Sequence, residues 1–383
     1  MSYTNRAVDE ICDMLVTAGH DFIRIGSPHR CDPRFRKFLL ANRLGEHPRL
    51  DSMQTLVRQA RLVVATTTTV LSHTDLFRLK DFALAIVDEA SQILEPDLVG
   101  LLARVPRFIL IGDHKQLPAV VQQGEADSRV EEPLLRDIQL SDCRDSLFER
   151  LLRIERTARR TQFIGTLNHQ GRMHPDIASF PNTFFYVHEN IQPVPLPHQL
   201  EDSAAPRLLF IPATLQRKAI GAAASSVPTN TSRSNPVEAA IVAQELQRVY
   251  REYGDSFDPN KTVGVIVPYR NQIAQIRRET AALGIPALQD ISIDTVERYQ
   301  GSQRDVIIFS FTVSRRYELD FLTASTFIDT DGTIVDRKLN VALTRARKQL
   351  ILTGDPALLS RIPIFAHLLE HVREHGTWLS QRT

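Results

Sequence analysis

The sequence predicts an α/β protein with mainly parallel sheets, divided into more than one domain. Three observations carry that expectation. Seven short runs of Val, Ile, Leu, Ala and Phe show little polar alternation, as strands buried on both faces of a parallel sheet do. Helical patterns lie between several of them, and strand–helix alternation marks α/β architecture. The chain has 383 residues, which at roughly 100–200 residues per domain makes about two or three domains.

The elements follow in order. The opening stretch MSYTNRAVDEICDML is patterned as a folded helix and has no signal-peptide core. Strands are expected at Arg61–Thr67, Phe82–Asp88, Arg107–Gly112 and Arg207–Ile211, then at Thr262–Val267, Asp305–Thr312 and Gln349–Gly354. The clearest helix is Asn235–Tyr253, where Asn235 can cap, Pro236 takes the first helical position and Glu238 sits in the first turn. Ile241, Leu246, Val249 and Tyr253 then fall near one face. Leu151–Arg160 reads as a basic helix with a solvated face. A break near Arg150–Thr166 separates two strand–helix series, giving domains 1–155 and 156–383. Ala213–Ser234, rich in Ala, Ser, Thr and Pro, reads as a surface loop.

Composition excludes several classes. Hydrophobic residues are 43% and charged residues 24%, enough apolar material for a sizeable core. Lys+Arg minus Asp+Glu is 46 − 45 = +1, which argues against a binder held by bulk positive charge. The three cysteines, Cys12, Cys31 and Cys143, are widely spaced and form no CxxC pair. They suggest neither a disulfide framework nor a zinc site, and a reducing, cytoplasmic compartment fits them best. No apolar run approaches the ~18 residues of a membrane span, and nothing in the sequence points to an oligomer.

Four segments carry candidate chemistry. In Phe82–Ser91 (FALAIVDEAS) an apolar strand ends in adjacent carboxylates, at the edge where open α/β sheets bind ligands. In nucleotide hydrolases such a pair serves Mg²⁺ and water: Asp88 would hold the ion and Glu89 would take the proton of the attacking water. An acidic pair can also simply cap the following helix. Arg107–Val121 (RFILIGDHKQLPAVV) ends a second strand in Gly112-Asp113. The Gln116 amide three residues on can donate to a phosphate oxygen and accept from water. Lys338–Arg347 (KLNVALTRAR) places Arg345 and Arg347 on an expected helix. A guanidinium suits the charge that develops on a transferring phosphoryl group, although a cationic helix surface reads the same way. In Thr295–Asp305 (TVERYQGSQRD), Gly301 permits a tight turn before a buried strand.

The order and wording of these segments resemble superfamily 1 helicases. The nearest branch is the 5′→3′ group that contains the nonsense-mediated-decay helicase and the Okazaki-fragment helicase-nuclease. Thr4–Leu15 looks like motif Ia and Val64–Thr69 (VATTTT) like the nucleic-acid contact after it. Asp88-Glu89-Ala90-Ser91 matches motif II and Gly112–Pro118 motif III. Gln170–Pro175 (QGRMHP), Val267–Gln272 (VPYRNQ), Asp294–Asp305 and Leu339–Arg347 resemble the later motifs. The resemblance implies two RecA-like domains with ATP in the cleft between them, and single-stranded DNA or RNA as partner. It implies Mg²⁺ at Asp88, water at Glu89, the γ-phosphate at Gln116, and arginine contacts from Arg172 and Arg345. Gln300 and Gly301 would couple nucleotide to nucleic acid. Thr66, Thr67, Thr68, Thr69, His73, Pro268, Tyr269 and Arg270 would lie near the strand.

Three departures stand out. Gly171 replaces the family tyrosine that stacks on adenine, with His169 or Tyr186 as candidate substitutes. Gln303 replaces a glutamate near the sugar. No G-x-x-x-x-G-K-[ST] phosphate loop occurs anywhere in the chain. The chain begins almost at motif Ia, so the expectation is an N-terminally truncated helicase, inactive alone. The alternative is a non-catalytic nucleic-acid-binding or regulatory protein derived from a helicase.

Overall fold

A computed structural model describes residues 1–45, 49–202, 205–213 and 233–379. The Ala213–Ser234 loop lies, apart from its ends, outside the described residues. The protein is α/β, and it divides into two compact units, Met1–Gly165 and Thr166–Thr383.

The first unit holds four short strands: β1 (Ile23–Arg24), β2 (Val63–Val64), β3 (Ala85–Val87) and β4 (Phe108–Leu110). β1 pairs with β2 and β3 with β4, both in parallel. Met1 and Ser2 lie between the two pairs. Ser2 bridges Thr66 on one side and Asp88 on the other, and the Asp88 N–H donates to the Met1 carbonyl at 2.8 Å. The expected strands are therefore present, trimmed to two or three residues where ladder bonds stop. Thr4 starts the helix Asn5–Thr17 by accepting from the Ala7 N–H at 3.1 Å, and Val8 and Cys12 face inward. They pack with Phe22, Phe35 and Leu39. The helix Leu147–Thr157, capped by Ser146, anchors to the strand layer through Arg150. Its guanidinium donates to both Glu95 carboxylate oxygens at 2.7 and 2.5 Å, with both side chains buried. The Leu151–Arg160 stretch is thus half-buried through Arg156 rather than solvated throughout.

Parallel sheets ordinarily have both faces covered. Here Ile86 and Ile109 stand opposite each other in register and are 47% and 48% exposed, with Leu84 and Ile111 also exposed.

The second unit carries the larger sheet. Two short strands, β5 (His169–Gln170) and β6 (Gln192–Pro193), pair in parallel. They precede β7 (Leu208–Pro212), β8 (Val263–Val267), β9 (Ser292–Thr295) and β10 (Arg304–Ser310). A hairpin of β11 (Thr326–Ile328) and β12 (Ile334–Asp336) follows, then β13 (Ala346–Gly354) and β14 (Thr377–Trp378). Six strands form one parallel sheet in the order β14-β7-β13-β10-β8-β9. The helix Pro236–Tyr253 lays Ile241, Leu246 and Val249 on Val263, Val265, Ile308 and Ile351. Asn235 caps it as its sequence implies, accepting from Val237 and Glu238 at 3.1 and 3.2 Å.

Glu238 is wholly buried. Its Oε2 accepts from the Ser310 hydroxyl and the Thr312 N–H, both at 2.7 Å, and its Oε1 accepts from Asn235 Nδ2 at 2.9 Å. Thr312 is held at φ 56°, a left-handed conformation that a β-branched residue adopts only where its surroundings impose it. Burial pushes the Glu238 carboxyl up to about 8, against the opposing pull of the donors on Thr312, Ser310 and Val313.

Two predictions follow from this packing. A folded-state value above the ordinary 4.5 stabilises the fold fully below that value, and the contribution is lost as pH rises through about 8. Glu238→Gln cannot ionise, so urea midpoints of wild type should fall relative to the variant between pH 5 and pH 8. A gap independent of pH would contradict the assignment. Replacing both Ile86 and Ile109 with Thr should reduce aggregation, followed by light scattering, while changing stability by no more than about 0.5 kcal/mol for each exposed site.

Candidate functional site

In the first unit the strand ends meet at one edge. Thr66 follows β2, Asp88 follows β3, and Gly112 follows β4 by two residues. This is the carboxyl edge where α/β sheets take ligands. Among the described residues the Asp88 carboxylate makes no hydrogen bond, and Asp88 is half-buried. Glu89 adopts φ 54°, a left-handed turn that directs the chain into the short helix Ala90–Gln92. Its carboxylate accepts from Gln92 Nε2. The turn is locked by the Ala90 N–H, which donates to the Ile111 carbonyl at 2.8 Å.

That lock explains Gly112. A Cβ there would lie 3.0 Å from the Ser91 nitrogen and 3.3 Å from its Oγ. The absence of a side chain thus lets the β4 loop press on the carboxylate turn. Asp113 then organises the loop: its Oδ1 accepts from the Lys115 N–H and its Oδ2 from Gln116 Nε2, both at 2.9 Å. Gln116 is held with its amide turned toward Asp113, while Lys115 is fully buried. Sequence reasoning missed Asp113 as the organiser; an acid three residues before the sensor amide was the available signal.

The threonines divide by burial. Thr66 is the N-cap of the helix Thr67–Ser72, its Oγ1 accepting from the Thr69 N–H at 3.2 Å and lying 2.8 Å from Thr69 Oγ1. Thr67 is buried and Thr68 is exposed. His73 is tied through Nδ1 to the Thr69 carbonyl at 2.8 Å.

In the second unit the expected residues gather in two places, at opposite ends of the sheet. At the amino ends of β10 and β13, Arg172 and Arg345 converge on Thr344. Arg172 Nη1 donates to the Thr344 carbonyl and its Nε to Gln303 Oε1, both at 3.2 Å. Arg345 Nη2 donates to Thr344 Oγ1 at 2.9 Å and its Nε to the Val341 carbonyl at 3.0 Å. Arg345 is 1% exposed. The expected helix over Lys338–Arg347 ends at Leu343, because the chain turns into β13, so Arg345 lies between helix and strand. Arg347 belongs to β13 and pairs with Asp305 at 2.8 Å. The loop around Arg172 is held by Gln170, whose Oε1 accepts from the Arg172 and Met173 N–H groups at 2.9 and 2.7 Å. Gln300 and Gly301 lie at the same edge. Gly301 has φ 75°, and the Gln300 Nε2 is buried without a partner. Tyr186 is buried with its hydroxyl accepting from Asn340 Nδ2 at 2.8 Å, whereas His169 is exposed beside Asn168.

At the carboxyl end of β8 stand Pro268, Tyr269 and Arg270. Pro268 and Tyr269 are buried; only Arg270 is exposed. The Tyr269 hydroxyl donates to the Glu318 carbonyl at 3.0 Å, and its ring stacks on Phe321 at 4.9 Å. Arg233 lies over both rings and Lys338 over Phe321, the latter at 3.7 Å. Burial raises the Tyr269 phenol to about 12.

Among the described residues no cluster of His, Cys, Asp or Glu has the makings of a protein-only metal cage, and no helix is long and apolar enough to cross a membrane. Residues 143–357 match an AAA domain family, and residues 46–123 match a second AAA domain. The chain belongs to this AAA-domain family of superfamily 1 helicases. It is 31% identical over 404 residues to the mouse DNA replication ATP-dependent helicase/nuclease DNA2, spanning 97% of this chain and 34% of the relative. It is 29% identical over 393 residues to the Arabidopsis thaliana DNA replication ATP-dependent helicase/nuclease JHS1, spanning 98% and 26%. A regulator of nonsense transcripts 1 homolog from Neurospora crassa is 26% identical over 416 residues, spanning 97% and 34%. The chain thus spans about a quarter to a third of the length of these relatives.

The Gly112 contact yields a prediction. Gly112→Ala should drive its methyl into the Ser91 backbone and cost about 1–3 kcal/mol by overpacking. Chemical denaturation should show the loss. An unchanged midpoint would mean the β4 loop has room that the geometry denies.

Proposed function

We propose that the chain is the motor of an ATP-dependent translocase or helicase acting on single-stranded nucleic acid, built on two RecA-like units. The observation that carries this reading is the carboxyl strand edge of the first unit. There an Asp88 carboxylate without a hydrogen bond adjoins Glu89 in a locked turn, beside a loop that presents Gln116. A half-buried carboxylate at a strand end, already facing the positive charge of the Met1 ammonium, fits the water shell of Mg²⁺, a hard cation that takes oxygen ligands. Bound there, the ion would neutralise charge on the phosphates. Glu89 accepts the proton of the attacking water, and Gln116 orients the γ-phosphate. Arg172 and Arg345 carry the arginine roles, stabilising charge that grows only in the transition state. Gln300, whose amide nitrogen is buried without a partner among the described residues beside the Gly301 turn, would couple nucleotide to nucleic acid.

One observation favours a second reading, a non-catalytic nucleic-acid binder. Arg345 is 1% exposed and bonded within its own turn, and the 383 residues contain no phosphate-loop pattern. Both readings therefore predict that residues 1–383 alone bind single strands without stimulated ATP turnover, because the backbone N–H cradle and its lysine are missing from them. They part in a chimera supplied with a phosphate loop and its strand. The translocase reading expects stimulated hydrolysis there, cut by at least roughly 100-fold in Glu89→Gln and similarly in Arg345→Ala. An inert but folded chimera that still binds nucleic acid would select the binder. Robust turnover by residues 1–383, lost in Glu89→Gln, would overturn the assignment of the phosphate-gripping groups.

A further inference from the structure

The segment between β10 and the helix Arg337–Leu343 carries a feature no motif accounts for. Arg315, Arg316 and Tyr317 stand in succession on the surface, and the Tyr317 ring is 56% exposed. An exposed phenol between guanidiniums is costly to leave idle, since its apolar face gains most when another π-face covers it.

Four arginines share this edge. The Tyr269 hydroxyl bond to the Glu318 carbonyl joins the two stretches, and Arg270 and Tyr317 each lie one residue from that bond. Arg233 lies over the Tyr269 ring at 5.3 Å, and Arg315 Nη1 donates to the Tyr317 hydroxyl at 3.3 Å. Glu318 and Asp320 set two negative charges against these four guanidiniums and so offset only part of the positive charge. Glu318 is buried, accepting from the Ser314 and Arg315 N–H groups at 2.7 and 3.0 Å, which leaves Asp320 as the exposed acid in the run 315–320. The backbone beneath is tied down by two carboxylates, Glu238 holding Ser310 and Thr312 and Glu318 holding Ser314 and Arg315. A platform fixed in advance loses little entropy when it is covered.

We propose that Tyr317 is a base-stacking platform for single-stranded nucleic acid, with Arg270, Arg315 and Arg316 holding the phosphates on either side. The inference rests on the nucleic-acid reading above and extends it to a residue outside the helicase motifs. Single strands fit because their bases are free to leave the stack, and every base offers a π-face. Guanidiniums beside an exposed aromatic ring suit a strand whose phosphates lie next to its bases.

The test uses the full 383-residue chain and fluorescence anisotropy with a labelled oligothymidylate and an abasic strand of equal length. Tyr317→Ala should weaken oligothymidylate binding roughly 10-fold, and Tyr317→Trp should restore it. The abasic strand should bind wild type and Tyr317→Ala alike. Arg316→Gln should reduce the salt slope by about one phosphate contact without changing the preference for bases. Circular dichroism should show each surface variant folded. Equal oligothymidylate affinity for wild type and Tyr317→Ala would overturn the platform while leaving nucleic-acid binding intact. Failure of either strand to bind would overturn both. Displacement by polyglutamate as effective as by unlabelled oligothymidylate would identify a surface for acidic peptides and overturn the proposal.

Discussion

The second unit depends on the parallel pairing of β10 with β13. Arg304 stands opposite Ala346 but Val306 opposite Gln349, so the ladder slips by a residue at its start. A bulge of this kind re-aims side chains and bends the strand. Here it lets Arg347 turn to Asp305, and it brings the Arg304 N–H to the Arg345 carbonyl at 3.1 Å. The other strands build outward from this pair, and a hydrophobic cluster that includes Val306, Ile308 and Ile351 closes over it.

The same economy governs the first unit at smaller scale. Its strands are too short to be stable as isolated pairs. They hold because Ser2 bridges two of them and because Gly112 permits the β4 loop to touch the carboxylate turn. Chemistry here is positioned by backbone contact, with side chains added at the ends. The left-handed Glu89 is strained in the way residues at functional sites often are, and the Ala90 N–H bond to the Ile111 carbonyl holds it there.

How much of this was legible in the sequence depends on which forces decide it. Continuous apolar runs located all seven strands, since burial on two faces leaves a direct mark on composition. The capped helix after Asn235 was readable for the same reason. Shorter elements such as β1, β9 and β14 carry no run of that kind and are defined by what they pair with. Site residues were legible as types at strand ends, but their states were not. Burial of Tyr269 and of Thr67, the end of the helix at Leu343, and the interception of Arg345 by Thr344 all come from tertiary contacts between distant residues. Tyr317 was hidden because an exposed aromatic matters only once its neighbours are known.

β10 has one end among the arginines and the other against the Glu238 clamp. Its seven residues at about 3.3 Å each reach roughly 20 Å. An extended strand cannot shorten without leaving the β region. Its ladders to β8 and β13 run along most of that length, so any axial load on Asp305 is shared with both neighbours before it reaches Thr312. The distance between its two ends is thus fixed by the sheet as a whole.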